Sequence, residues 1–124
     1  SDYQSTAAIT SDGERGYVST WNCEGESLVR IGVDTDGNGL VTTQNGKGGT
    51  LVELGATVGG AGVVETQNGK GGTLVKFGAS TVGNGLVTTE NGKGQALVTI
   101  GANTDGNGLV ETQNGKGRVT SNLP

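Results

Sequence analysis

Short runs of aliphatic and β-branched residues alternate with glycine-rich turns along this chain, and they do so with a fixed period. A 23-residue unit repeats four times without insertion or deletion, at residues 28–50, 51–73, 74–96 and 97–119. A decayed fifth copy precedes these units at residues 5–27. A period without length variation is typical of identical units that stack on their neighbours.

The repeat divides the chain into three parts. Residues 1–27 hold an N-terminal tail and the degenerate first repeat, which we expect to cap the stack because terminal repeats are often atypical. Residues 28–119 hold the four regular β-repeats, and residues 120–124 form a C-terminal tail.

Each unit carries two short strand patterns, exemplified by residues 39–43 and 50–54, in which Leu, Val and Thr dominate. Such residues suit a pleated surface. An Asn-Gly turn signal separates the two patterns at Asn45-Gly46, since both residues accept a positive φ angle. No segment keeps a helical period over ten residues. The pattern therefore predicts an all-β protein of ten short strands.

Alternation along a strand predicts which residues share a face. Val41 and Thr43 lie on one face, and Leu40 and Thr42 lie on the other. Two apolar columns follow on opposite faces: Val41, Val64, Val87 and Val110; and Leu40, Val63, Leu86 and Leu109. A solvated sheet needs only one apolar face. Two such columns suggest burial on both sides, which an intertwined or side-by-side oligomer would supply.

Charged columns test whether neighbouring repeats touch. One column runs Arg30, Glu53, Lys76 and Thr99, and another runs Thr42, Glu65, Thr88 and Glu111. Both avoid adjacent like charges, as cross-strand pairs prefer. The turn lysines are the exception, and they repeat about every 9.6 Å if each unit stacks as a hairpin, but about every 4.8 Å in a one-repeat coil. The wider spacing approaches the screening length and favours stacked hairpins.

Composition narrows the function classes. The chain has 26 glycines among 124 residues, 31% apolar residues, no His and one Cys. It therefore has no Ser-His-Asp triad and no Cys/His zinc site. A net charge of −4 argues against binding to nucleic acid or an anionic membrane. The core available to one chain is thin, so sharing it among three chains would bury more apolar surface per residue.

The motif G-[LV]-V-x-T-x-N-G-K-G-x-x-L-V-x-[IL]-G-A resembles short β-repeats of bacterial surface proteins and phage tail fibres. The resemblance covers residues 28–119 well and residues 5–27 poorly. It implies an elongated homotrimeric β-fibre, of which the intertwined triple-stranded β-helix is one type, and it carries no catalytic residues. We therefore expect a repetitive elongated β-fibre that forms an intertwined or prism-like homotrimer. A monomeric β-solenoid is the alternative.

A partial calcium motif is the first candidate site. Asp34, Asp36 and Asn38 match the first half of a D-x-D-x-N-G loop, but the twelfth position is Asn45 instead of the bidentate Glu. The two central repeats lose the carboxylates. The pattern thus favours a plain turn stabilised by Asx side chains. We expect no metal, no cofactor and no catalytic residue, and we expect that the protein is not an enzyme.

Three other features suggest binding or a structural role. A lysine column could grip an anionic glycan, although turn lysines also blunt sheet edges: Lys47, Lys70, Lys93 and Lys116. A threonine column resembles the arrays of ice-binding solenoids: Thr43, Thr66, Thr89 and Thr112. Tyr3, Tyr17, Trp21 and Cys23 depart from the repeat near the N-terminus, where they suit a cap better than a ligand site.

These observations predict a non-catalytic shaft or spacer segment of a trimeric surface or virion fibre. The expected location is extracellular, at a cell surface or on a virion. The main partner is the chain itself, with a surface glycan or host receptor as a further partner and no nucleic acid or inserted membrane. A carbohydrate-binding adhesin is the alternative function, and an ice-binding β-solenoid is a weaker one.

Overall fold

A computed structural model describes residues 7–11, 13 and 15–123, and its regular structure is entirely β. The strands are β1 (Ala7–Ser11), β2 (Gly16–Trp21), β3 (Ser27–Val33), β4 (Gly39–Gln44), β5 (Thr50–Ala56), β6 (Gly62–Gln67), β7 (Thr73–Ala79), β8 (Gly85–Glu90), β9 (Ala96–Ala102), β10 (Gly108–Gln113) and β11 (Val119–Leu123). The all-β prediction is confirmed. The structure has eleven strands instead of ten because a further strand follows the fourth regular unit.

The eleven strands form one open antiparallel sheet in which the order in space equals the order in sequence. Each regular unit contributes two consecutive strands, so the predicted stacking of hairpins is confirmed. The described residues form a meander and no solenoid coil. The first copy is shorter than the others, because Ile9 holds the place of Ile31 only 22 residues earlier. One residue is therefore missing between β1 and β2 relative to the later hairpins.

A continuous row of apolar residues crosses one face of the sheet from the first strand to the last. We call it the apolar ladder, and its face the ladder face. Its members are Ile9, Val18, Ile31, Val41, Leu54, Val64, Phe77, Val87, Ile100, Val110 and Leu123. The 23-residue period places equivalent residues at the same point along every strand of one type. Two positions of the unit, those of Ile31 and Val41, therefore produce a row that crosses all the strands.

We call the opposite face the polar face. On it, leucine side chains lie over glycines of the neighbouring strands. Leu40 pairs with Gly32 in β3, and a Cβ on Gly55 in β5 would lie 3.2 Å from Leu40 Cδ1. Leu86 stands in the same relation to Gly78 and Gly101. The predicted placement of the two apolar columns on opposite faces is confirmed. The glycines on this face make room for the larger side chains beside them.

The polar face also carries a charged row, in which the two sequence columns interleave. Arg30, Thr42, Glu53, Glu65 and Lys76 are successive cross-strand neighbours. Residues 23 apart in one column are therefore separated by an intervening strand, so the interpretation of each column as a series of cross-strand neighbours was wrong. Glu53 lies directly opposite Glu65. On the other side of Glu65, Lys76 offsets the repulsion between the two carboxylates through a 2.6 Å ion pair with Glu65.

A single layer leaves this sheet with almost no interior. Val63 is the one described apolar residue that is buried, with 8% of its surface exposed. The larger members of the apolar ladder remain about half exposed, including Ile31 and Ile100 at 48% and Phe77 at 49%. A sheet with an apolar face is stable only when another layer covers that face. The described residues of one chain form no second layer over the apolar ladder.

The fit of the glycines on the polar face gives a stability prediction. A Cβ on Gly32 would lie 2.6 Å from Tyr17 Cβ and 3.1 Å from the carbonyl oxygen of Gly16. We expect Gly32→Ala to lower the free energy of unfolding by about 1–3 kcal/mol, because the two strands must separate. Gly39→Ala is the matched control, since a Cβ there meets nothing within 4 Å. Equal denaturation midpoints for the two variants would contradict this packing.

Candidate functional site

The nine hairpin loops whose residues are all described share one hydrogen-bond pattern. Each has five residues, and the N–H of the first donates to the carbonyl oxygen of the fifth. The side-chain oxygen of the first residue accepts a bond from the N–H of the fifth, at 2.8 Å in the loop of Asp34 and 3.4 Å in that of Asn91. The fourth residue is always glycine with a positive φ angle. This geometry is that of a turn followed by a glycine bulge.

The loops lie along two opposite edges of the sheet. We call one the lysine edge, formed by loops 22–26, 45–49, 68–72, 91–95 and 114–118, each of which begins with Asn. We call the other the aspartate edge, formed by loops 34–38, 57–61, 80–84 and 103–107, which begin with Asp, Thr, Ser and Asn. Each 23-residue unit therefore has one loop at each edge, of which one joins its two strands and the other connects it to the next unit.

The partial calcium motif lies on the aspartate edge, and its first carboxylate serves the turn. Asp34 Oδ1 accepts bonds from the backbone N–H groups of Asp36 at 2.9 Å and Asn38 at 2.8 Å. The bond from the Asn38 backbone is the largest of the causes that lower the pKa of Asp34 below its usual range. Asn45, the twelfth position of the motif, begins a loop on the lysine edge. The strand β4 thus separates the two halves of the motif.

In the central repeats, Thr57 and Ser80 stand at the position of Asp34 and accept the same backbone hydrogen bond. Thr57 Oγ1 accepts a bond from the N–H of Ala61, and Ser80 Oγ accepts one from the N–H of Asn84. The repeats keep an acceptor oxygen at this position while they lose the carboxylate. The side chain at this position therefore closes the loop. The sequence analysis did not recognise this role, although Asp, Thr, Ser and Asn all carry a side-chain oxygen that can accept the bond. Within the described residues, no group of three metal-ligating side chains comes together.

On the lysine edge, successive loops contact one another through their asparagines and glycines. A Cβ on Gly69 would lie 2.6 Å from Asn45 Nδ2, and a Cβ on Gly49 would clash with the carbonyl oxygen of Gly69. The same relation links Asn68, Gly72 and Gly92 in the next pair of loops. The glycine after each asparagine therefore makes room for the side chain of the preceding loop. Sequence reasoning assigned it to turn conformation alone.

The four lysines of the candidate anion-binding column lie exposed at the tips of successive loops on this edge. Their spacing is that of alternate strands, about 9.6 Å. At this distance they form a line of separate charges. A convergent pocket around one anion would need shorter separations.

A groove of about 690 Å³ crosses the polar face between the loops 57–61 and 80–84. The side chains of Glu53, Glu65 and Lys76 lie along its floor beside Val63. Val58, which is fully exposed, stands at its rim. The residues that line it include no aromatic side chain, and Phe77 lies on the ladder face. The groove can accommodate a polar ligand, although it lacks the stacking platform that sugar sites commonly use.

The remaining candidate residues contribute to the sheet. Thr43 pairs with Val29 on the ladder face, whereas Thr42 pairs with Arg30 on the polar face, so adjacent threonines are on opposite faces. Tyr17 lies on β2 with the Arg30 guanidinium 4.7 Å from its ring centre.

Two other candidate residues near the N-terminus lie at the end of β2 and in the loop that follows it. Trp21 ends β2, and Cys23 is exposed in the following loop. Tyr3 lies outside the described residues. The described part of the chain contains no helix with the length and apolar character needed to cross a bilayer.

The hydrogen bonds of Asp34 predict a pH dependence. Because folding lowers the pKa of Asp34, its stabilising contribution is complete above the ordinary carboxyl pKa of about 3.9 and is lost as the pH falls below it. Asp34→Asn should therefore be less sensitive to acid than the parent between pH 5 and about pH 2 in urea unfolding. The reciprocal variant Asn103→Asp should gain acid sensitivity. Parallel pH profiles for all three proteins would contradict the assignment.

Comparison with models of known protein families gives no match to this chain. Comparison with curated protein sequences also gives no significant match.

Proposed function

We propose that the chain is a non-catalytic shaft or spacer segment of an elongated homotrimeric fibre, exposed outside the cell at a cell surface or on a virion. The single observation that carries this proposal is the apolar ladder, which runs across all eleven strands and has no covering layer among the described residues. Repetition sets the length of such a segment, because each added unit extends the same sheet by one hairpin. The apolar ladder has a member on every strand, so the same contact surface continues along the whole length of the segment, as a structural rod requires.

The energetics of a single layer support an oligomer. Phe77, Ile31 and Ile100 remain about half exposed in the isolated sheet. Burial of apolar surface contributes about 25 cal/mol per Å², and ordering the backbone costs about 1–2 kcal/mol per residue. The isolated sheet buries little to offset this cost. Association of copies through the ladder face removes that apolar surface from water without any change in the hairpins.

The mass in solution tests the proposal. We expect light scattering coupled to gel filtration to give about 37 kDa, three times the 12.3 kDa of one chain. The trimer should persist at neutral pH without added metal or cofactor. A monomer at micromolar concentration with intact β-structure would contradict the shaft proposal.

A carbohydrate-binding adhesin is the second candidate, and the groove beside Val58 and Lys76 is the observation that favours it. A glycan array probed with the assembled protein separates the two functions. Binding that Lys76→Ala abolishes would favour the adhesin. The shaft proposal expects no signal on the array.

A further inference from the structure

We propose that the ladder face is the inner surface of a three-walled prism, in which each wall is one complete chain. The occupants of this face are thus two further copies of the chain. The inference rests on the proposed trimeric shaft, and it assigns the surface and the chain path that make the trimer. It chooses between the intertwined and prism-like forms that the sequence left open.

The two faces differ in their need for a partner. On the polar face, Leu40 and Leu86 lie over glycines of neighbouring strands, and Val63 is buried without any second layer. On the ladder face, Ile31 and Ile100 remain about half exposed. The polar face therefore covers its central apolar residues within the sheet itself, while Leu51 and Leu74 there keep 38% of their surface exposed. The larger residues of the apolar ladder are covered only when another surface packs against them.

The pairing of the strands decides the chain path. Each strand from β2 to β10 is hydrogen-bonded on both sides to strands of the same chain. No position inside the sheet remains for a strand of another copy. An intertwined trimer would require neighbouring strands from different chains. Only the outer edges of β1 and β11 are left for backbone pairing with another copy, so the inner strands can contact another copy only through their side chains, wall against wall.

The ladder face is large enough for such an assembly. Eleven strands at a spacing of about 4.8 Å extend about 50 Å, and five paired residues at about 3.4 Å extend about 17 Å. The face thus measures about 850 Å², and each neighbour covers about half of it, so the three contacts together bury about 2,500 Å², where a stable two-chain complex buries about 1,600 Å². A second or third copy of the same repeat matches it in height along the whole length, because all copies share the hairpin spacing.

The width of the wall fits a three-sided arrangement. Three walls of about 17 Å enclose a triangle in which each sheet lies about 5 Å from the axis. This is half of the roughly 10 Å that separates packed sheets. One layer of side chains from each wall, such as Leu54 and Phe77, then fills the interior. A right-handed twist shared by all three walls keeps their edges adjacent.

The charges of the two edges are complementary near Asp34 and near Asp105 in this arrangement, whereas the loops 57–61 and 80–84 of the aspartate edge carry no charge. A three-fold axis along the stack brings the lysine edge of one copy against the aspartate edge of the next. The two sets of loops alternate in height along the stack, so the loop of Lys47 lies between the loops 34–38 and 57–61 of its neighbour. Lys116 likewise follows the loop of Asp105. Loop 22–26 is the exception on the lysine edge, since it carries Glu24 and Glu26.

Adjacent residues of β9 supply a matched pair of variants. Ile100 faces the prism interior, and Thr99 lies on the polar face beside Glu111. Ile100→Lys places three ammonium groups near the axis, and it should raise the concentration at which the trimer half-dissociates by about a hundredfold or more. Thr99→Lys should leave the trimer intact. Sedimentation across a dilution series measures both, with circular dichroism as the check on β-structure.

The possible results separate the inference from the function on which it rests. A parent protein that is monomeric overturns both. A trimeric parent in which Ile100→Lys remains assembled, or in which both variants dissociate equally, leaves the shaft proposal standing and overturns the assignment of the inner face. A stable dimer of about 25 kDa would indicate two facing walls and would overturn the three-walled prism.

Zero-length carbodiimide cross-linking tests the contacts at the corners. Within one chain, Lys47 and Asp34 lie on opposite edges, separated by a strand of about 17 Å, which is beyond the reach of such a link. We expect links from Lys47 to Asp34 or Asp36, and from Lys116 to Asp105. An equal mixture of unlabelled and ¹⁵N-labelled protein will identify them as links between copies. Trimers that yield no such link under conditions where other sites react would overturn the edge-to-edge arrangement.

Discussion

The structure depends on a hydrogen bond that recurs at the start of each described five-residue loop. A side-chain oxygen on the first loop residue accepts a bond from the N–H of the fifth, and a glycine with positive φ occupies the fourth position. Together they fix the length and direction of every hairpin. Since a shift of one residue would exchange the two faces of a strand, this loop geometry also keeps the apolar ladder continuous. The repeats tolerate Asp, Asn, Thr or Ser at the first position because each supplies the acceptor.

The same arrangement explains the unusual number of glycines. Glycines at the fourth loop position satisfy backbone conformation, and those of the polar face, such as Gly32 and Gly55, make room for side chains on neighbouring strands. On the lysine edge, Gly69 faces the asparagine of the preceding loop. Glycine therefore has three separate functions in one unit. Glycine also raises the cost in backbone entropy, and the single sheet buries little apolar surface to offset that cost.

Much of the fold could be predicted from the sequence because the repeat brings local signals into agreement. Strand patterns, turn residues and face alternation led to two strands per unit and two apolar columns, and the lysine spacing favoured stacked hairpins over a one-repeat coil. The charged row could not be predicted from columns alone, since Glu53 and Glu65 belong to different strand types and become neighbours only when those strands interleave. The groove beside Val58 was also missed, because it depends on how two loops project above the polar face.

The sequence by itself determined the period, the all-β character and the identity of the residues on each face, since these follow from spacing along one chain. The tertiary structure decided that the hairpins join in a single open layer and that all internal strand pairing occurs within the chain. It also placed the two halves of the calcium-like motif, Asp34 and Asn45, at opposite edges. These outcomes depend on which strands pair, and pairing is a relation between distant segments that local pattern does not specify.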